Sequence, residues 1–414
     1  MTSRPSPLTS FSVLIAAYDA GLHTSESYVA RSLLARIGRE TRVILITRRN
    51  NVAELLASPE FVATYPNVHL VGFDLPKWAA WWKKGPRGYG LYAYLWQVTW
   101  PFVVRKRHWL VQRLSVVHTL NFHNSSIPNT GWILRRPSIW GPINHNEGSA
   151  RWRMHYWPAK LRWRNAIKAK LRALAWRLDP LLAMATLKTG IIFSAGSWVD
   201  RRLRLSGRRN IRRLSQLGLD PAILPAPVAP SPGGLRLVSG GRLDWIKGLD
   251  LALEALAQLP ETATLTIIGD GPCRAFLADH ASRLGVSQRV MFRPAVARDE
   301  LLRLYHDFDL FVFPSAEAGG LAWVEALATG LPVVGFKGPT ELSDMASHLN
   351  GIYVASTHGT REENITAFAQ EIETATAKGD NPDVLAEGAR TRYNWDNFAA
   401  EVAAAYQSVT SKSQ

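Results

Sequence analysis

The sequence predicts an α/β protein of two doubly wound, parallel-sheet domains, and three observations carry that expectation. Apolar runs of strand length alternate with segments of helical periodicity, as in successive strand-helix-strand crossovers. A proline and glycine cluster at 221–234, PAILPAPVAPSPGG, breaks the alternation. The 414 residues exceed what one core organises, and 47% hydrophobic residues suffice for two. The expected division is 1–225 for the first domain and 226–394 for the second, with a last helix within 395–414 added to the first.

In chain order, the apolar run within 11–17 reads as a strand, 25–37 as a helix and 42–47 as the next strand. Further strands are expected at 68–73, 114–118, 138–140 and 190–194, separated by tryptophan-rich and arginine-rich helices. Past the break come strand 235–239, helix 248–259, strand 263–268, helix 273–284, strands 290–292 and 310–313, and a helix over 321–329. Residues 395–406 read as the last helix, and the tail after Val409 is too polar to need order. Parallel sheets of this kind bind ligands at the carboxyl ends of their strands, here in a cleft between two facing domains.

Composition narrows the function. A single cysteine, Cys273, excludes an intrachain disulfide and fits a reducing compartment. The first residues lack the pattern of a signal peptide. The stretch 88–104 holds Gln97, Thr99 and Pro101 and falls short of the ~20 apolar residues of a membrane span. A cytoplasmic protein is expected. The net charge is +16 and there are 16 tryptophans; between 151 and 177 nine residues are Lys or Arg and none is acidic. There Trp163, Ile167, Leu171, Leu174 and Leu178 recur at helical spacing, with Arg162, Arg164, Lys168, Lys170 and Arg172 largely on the other faces. Two readings stand: docking on an anionic inner leaflet with Trp152, Trp157 and Trp176 at headgroup level, or an apolar stripe packed on the domain under solvated charges. Nucleic acid is not the expected partner, because no recognition motif accompanies the charge.

The segment SAEAGGLAWVEALATGLPVV at 315–334 places Glu317 and Glu325 astride Gly319, Gly320 and a helix start at Leu321. Glycines let backbone approach a ligand, and the free N–H groups of a first helical turn favour phosphate. Glu325 lies about one turn in, at ~1.5 Å per residue, positioned for vicinal ribose hydroxyls while Glu317 faces a sugar. In SGGRLDWIKGLDL at 239–251, Arg242 and Lys247 flank a strand-to-helix loop and are expected to converge on one phosphate site. IIGDGP at 267–272 supplies Gly269 and Gly271, as ligand contacts or as turn formers, and VMFRPAV ends on Val296, whose backbone is expected beside a base. The metal-binding form Asp307-Phe308-Asp309 opens a buried strand and is not read as a metal site; no cofactor and no metal are expected.

These motifs resemble the retaining glycosyltransferases of family 4, which have the GT-B fold, over most of 11–408 and most densely after Arg236. The resemblance rests on the Glu317 to Glu325 spacing with EALATGLPVV, on Gly241-Arg242 and Lys247-Gly248, and on IIGDGP. It departs at Ala318-Gly319-Gly320, where the family has Gly-Phe-Gly. It implies two Rossmann-like domains facing a central cleft, with the last helix crossing back to the first domain. It also implies a nucleoside diphosphate sugar donor held by Arg242, Lys247, Gly269, Gly271, Val296, Glu317, Gly319, Gly320, Leu321 and Glu325. In the first domain AYDAGLHTSESYVARSLL resembles a bacterial subgroup's loop, which puts Ser25 and Glu26 near an acceptor; alternatively Thr24 or Ser25 is only the helix N-cap. A strand ending VVH and a later WGP resemble the same subgroup and add His145 near the acceptor. His118 is the candidate for touching the sugar or positioning the acceptor hydroxyl, alternatively a histidine satisfied within the core.

The expected function is metal-independent transfer of a hexose to a hydroxyl of a polyprenyl-linked or other lipid-linked glycan acceptor, with retention. Glu317, His118, Arg242 and Lys247 are the catalytic candidates, and the setting is exopolysaccharide or O-antigen assembly on the inner face of the cell membrane. The rivals are a sugar-nucleotide epimerase or hydrolase on the same fold, and an inactive, basic membrane-surface binding protein.

Overall fold

The computed structural model describes residues 12–22, 25–39, 41–85, 87–120, 125–144, 149–205, 207, 210–227 and 234–411. The strands are β1 (Ser12–Ala17), β2 (Arg42–Thr47), β3 (Val68–Gly72), β4 (Val116–Leu120), β5 (Ser138–Ile143), β6 (Ile191–Ser194), β7 (Ile211–Arg213), β8 (Arg236–Gly240), β9 (Thr264–Ile268), β10 (Val290–Arg293), β11 (Leu310–Phe313), β12 (Val333–Phe336) and β13 (Ile352–Ala355). They form a seven-stranded sheet ordered β3-β2-β1-β4-β5-β6-β7 and a six-stranded sheet ordered β10-β9-β8-β11-β12-β13. All pairings are parallel. Each order reverses once, between β1 and β4 and between β8 and β11, which is the doubly wound arrangement of a Rossmann-like sheet. SVLIAA in β1 and LFVF in β11 are almost entirely buried apolar runs, as parallel strands covered on both faces require.

The chain divides into two compact units, Met1–His145 with Leu171–Gln216 and Trp395–Gln414, and Asn146–Lys170 with Leu217–Asn394. This differs from a boundary at 225: residues 217–225 and 146–170 go with the second unit. The physical reasons are local. Leu219 N–H donates to Tyr393 O at 2.6 Å and Leu219 bridges Asn394. Trp152 packs edge-on against Phe336, and Arg361 donates to Trp152 O at 2.9 Å.

In the first unit the helix Trp395–Ser411 buries Trp395, Phe398, Val402, Tyr406 and Val409 in the same core as Val13, Leu33 and Ile139. In the second, the helix Arg361–Lys378 opens on a capping box, Thr360 with Glu363, and buries Ile365, Phe368 and Ile372. Three strands escaped the sequence reading. β7 is short, basic and only half-buried, and β12 and β13 are four-residue runs close to the motif loops.

The basic segment departs from the reading in which its apolar stripe packs on the domain. The helix Ala159–Leu178 exists but buries none of its residues, and Trp163, Leu171, Leu174 and Leu178 are exposed. Trp152, Trp157 and Trp176, expected at a headgroup level, are instead half-buried. Arg153, within the same basic run, lies against the rings of both Trp152 and Phe336 and donates to Pro314 O at 2.7 Å. Among the described residues no helix is long and apolar enough to cross a membrane.

Candidate functional site

The second sheet reverses its order between β8 and β11, so the loops that leave the carboxyl ends of these two strands are neighbours. They are stitched together by backbone. Ala316 N–H donates to Ile246 O at 2.9 Å, and a Cβ on Gly248, whose φ is 66°, would stand 2.5 Å from Pro314 O. Ser315 is buried, and its hydroxyl accepts the Glu317 N–H at 3.2 Å. Across this seam Lys247 Nζ meets Glu317 Oε2 at 2.7 Å, with the two side chains 17% and 27% exposed. Lys247 also lies 5.8 Å from the centre of the Phe313 ring and beside the face of Gly241, where a Cβ would be 3.5 Å from Nζ.

The cations expected to converge are divided here. Arg242 pairs with Asp244 at 2.7 Å and is 73% exposed, whereas Lys247 pairs with Glu317. A surface pair of that kind holds by about 0–1 kcal/mol, so Arg242 can leave Asp244 for a stronger anion.

The helix Leu321–Ala328 starts in the same loop. Its N-cap is Gly320, with φ 138° and no side-chain cap bond, so the first-turn donors have no capping oxygen. Gly320, Leu321 and Ala322 are partly exposed while the rest of the helix is buried. Gly320 is required sterically as well, since a Cβ would stand 2.5 Å from the Phe313 ring. Gly319 is buried beside it.

Glu325 sits on the buried side of this helix at 5% exposure. Its Oε1 accepts from Arg298 Nε at 2.5 Å. Burial raises the Glu325 pKa, and the Arg298 charge and hydrogen bond oppose that. Sequence reasoning missed Arg298, which opens the helix Arg298–Leu304, because nothing in that helix start points to a carboxylate 27 residues later. Arg153 was missed for a different reason: its position in a basic run hid its burial against Pro314.

Gly269 and Gly271 are explained by backbone packing. A Cβ on Gly269 (φ 139°) would lie 2.0 Å from Gly241 O, and one on Gly271 would lie 2.6 Å from Leu243 O. Leu243 N–H donates to Asp270 O at 2.9 Å, and Leu243 O accepts the Cys273 N–H at 3.0 Å. They thereby fix the loop that bears Arg242. Val296 lies in the loop after β10, partly buried against the core around Phe311 and Trp323. Asp309 is engaged by Arg236, at 2.7 Å from Nη2, 3.1 Å from Nε and 2.8 Å from its backbone N–H. It closes a strand end.

The first-unit candidates fare differently. His118 is fully buried, and both ring nitrogens are engaged, Nδ1 with the Tyr406 hydroxyl at 2.8 Å and Nε2 with Gly141 O at 2.7 Å. A carbonyl only accepts, so Nε2 carries the proton and Nδ1 accepts from Tyr406. Burial lowers its pKa to about 4 and keeps the ring neutral. The expected contact with sugar or acceptor is therefore corrected: His118 ties the last helix to the sheet and has no nitrogen to offer. Ser25 and Glu26 open the helix Ser25–Ile37, their side chains lying outside the described residues, as does His145 altogether.

Residues 227–392 match the model of the family described as Glycosyl transferases group 1. A D-inositol 3-phosphate glycosyltransferase of Mycobacterium sp. (strain JLS) is 38% identical over 122 residues, 28% of this chain and 27% of that protein. The protein of that name from Xylanimonas cellulosilytica is 30% identical over 184 residues, 42% of this chain and 43% of the relative. The matches thus span between about a quarter and under half of these relatives. Among solved structures, Anabaena Alr3699/HepE in complex with UDP superposes with a TM-score of 0.60 at 16% identity, over 96% of this chain and all of that one. Sucrose-phosphate synthase from Thermosynechococcus elongatus does so with a TM-score of 0.65 at 18% identity, over 97% and 100%. The overall likeness establishes a GT-B fold, and residues 227–392 within it match the group 1 glycosyl transferases.

Proposed function

We propose that this chain transfers a hexose from a nucleoside diphosphate sugar to a hydroxyl of a lipid-linked glycan, with retention of configuration, in exopolysaccharide or O-antigen assembly. The observation that carries this reading is the Lys247–Glu317 pair, set where the second sheet reverses and beside the uncapped helix start at Leu321. The diphosphate lies against Lys247 and the first-turn N–H groups, and Arg242 swings from Asp244 to join it. An ammonium has three donors; with one on Glu317, others remain for phosphate oxygens. Glu325, steadied by Arg298, takes a ribose hydroxyl. Gly269, Gly271 and Val296 shape the loops beside the base. The names of the relatives and the UDP of the Anabaena complex support a nucleotide-sugar donor.

The bond from the sugar C1 to the phosphate oxygen breaks as negative charge grows on the departing diphosphate, so cations fixed there act most in the transition state. The acceptor hydroxyl attacks C1 from the face that the diphosphate leaves, and its proton passes to the departing phosphate oxygen. Neither step requires a metal. The acceptor's lipid brings the enzyme to an anionic membrane face, where the exposed stripe of the helix Ala159–Leu178 and its flanking Lys and Arg fit.

The test is thermal stabilisation by a panel of nucleoside diphosphates and their sugars, with and without magnesium, because a ligand of the native state raises its stability. A shift for one nucleotide series, independent of magnesium, is expected. No shift with any of them overturns the donor site. Consumption of the donor without any added glycan would favour a hydrolase or epimerase.

A further inference from the structure

Besides the helix Ala159–Leu178, which divides between the two units at Lys170, unit 1 carries another exposed apolar surface. After β3 the chain runs KWAAWWKKG from Lys77 to Gly85 and enters the helix Tyr89–Arg105. This segment is folded. Ala79 N–H donates to Pro76 O at 2.9 Å, Lys83 N–H to Ala80 O at 3.0 Å, and the Trp82 indole N–H to Ala79 O at 2.9 Å. Trp82 turns inward against the core around Trp96 and Trp100. Trp78 and Trp81 turn the other way, 80% and 76% exposed. The adjoining helix continues the exposed surface: Leu91 and Phe102, eleven residues apart and so on one face, are both exposed, and Trp109 lies just beyond.

The sequence of this stretch carries charge of one sign, and the carboxylates that reach its helix, Asp74 and Asp179, are engaged by the hydroxyls of Tyr92 and Tyr94. Lys77, Lys83, Lys84 and Arg87 flank the tryptophans in sequence, Arg105, Lys106 and Arg107 follow Phe102, and no Asp or Glu occurs between Asp74 and Glu147. A protein partner of ordinary composition does not require so uniform a surface. An anionic bilayer does, because its surface potential attracts every Lys and Arg while indoles partition to the headgroup level. Basic stems reach along the apolar body and keep their charges in the headgroups.

We propose that this surface, Trp78 and Trp81 with Leu91, Phe102 and their basic flanks, seats unit 1 on an anionic lipid bilayer. It deepens the lipid-linked acceptor reading above, but vesicle binding is measured without donor or acceptor, so either can fail alone.

The test is flotation of the full chain with vesicles of phosphatidylcholine alone and of phosphatidylcholine with about one-third phosphatidylglycerol. Wild type should float only with the anionic vesicles, and its tryptophan emission should be quenched by brominated chains in them. The double variants Trp78→Ser with Trp81→Ser, and Lys83→Glu with Lys84→Glu, should each lower the partition coefficient at least tenfold. The nucleotide-induced thermal shift should remain, since these side chains lie outside the donor loops. Lys168→Glu with Lys170→Glu tests the other basic helix separately. Unchanged partitioning of both unit 1 variants overturns the proposal, as does equal binding to neutral vesicles. A concentration-dependent dimer abolished by Trp78→Ser with Trp81→Ser, without vesicle binding, would also overturn it, with a second copy of the chain as occupant.

Discussion

β4 in the first sheet and β11 in the second occupy the same place, each next to the point where its sheet order reverses, and each is associated with an ionisable side chain. Their fates are opposite. His118 lies inside the β4 ladder, in register with Ile15 and Ile139, where a helix covers it and both nitrogens find core partners. Glu317 stands four residues past the end of β11, in a loop held by backbone bonds to the loop after β8, and its partner Lys247 remains partly open to solvent. A switch point offers a site only to residues beyond the last ladder pair; within the ladder, the same position is core.

The largest effect that would break this contrast is on Lys247. Lys247→Ala should lower hexose transfer by about 10²–10³-fold, the range for one preorganised donor to a developing oxyanion, with little change in Tm because the residue is not packed in a core. Steady-state transfer of labelled hexose measures it. Turnover within threefold of wild type would make the pair with Glu317 structural and erase the distinction from His118.

The mirror experiment removes His118. His118→Phe leaves the Gly141 carbonyl and the Tyr406 hydroxyl buried without their partner, for about 2–4 kcal/mol of lost stability. Transfer per folded molecule should stay near wild type. A loss of kcat larger than the loss of folded fraction would return His118 to the reaction.

Much of this contrast was legible in the sequence, unevenly. The second unit could be read because its loops need particular residues: Gly248 and Gly320 at positive φ, Gly269 against Gly241 O, and an uncapped helix start after them. Such constraints are local and leave fixed spacings. Arg298 to Glu325, Arg153 to Pro314 and His118 to Tyr406 are set by packing across 27, 161 and 288 residues, and no spacing records them. A strand ending in histidine reads alike whether the ring points at a ligand or at a tyrosine from the last helix. The basic run at 151–177 likewise shows its charge but not that Arg153 turns inward while Trp163 turns out.

Acid sharpens the comparison from the first unit's side. The His118 ring titrates at about 4 in the fold against 6.5 in a free chain. Between those values the unfolded chain takes up a proton that the native core refuses. The stability contributed by the neutral ring is therefore present above pH 6.5 and lost as pH falls toward 4. From about pH 7 to about pH 5 the loss attributable to His118 should be about 2 kcal/mol, read as the difference between the wild-type and His118→Phe pH profiles of denaturant unfolding. Parallel profiles would mean that the ring is solvated and accessible.

Arg242 is the smallest lever and the most discriminating. Its pair with Asp244 is exposed, so Arg242→Ala should leave the Tm unchanged. In the proposed reaction it reaches the diphosphate only after leaving Asp244, across solvent that screens it, and its removal should reduce kcat/KM for the donor by about tenfold, roughly 1.4 kcal/mol. That loss should shrink as ionic strength rises, because an exposed charge acts through screened attraction. A loss exceeding that of Lys247→Ala would mean that the mobile cation, and not the one fixed on Glu317, carries the leaving-group charge. The site would then be assembled by its donor instead of standing ready in the loops.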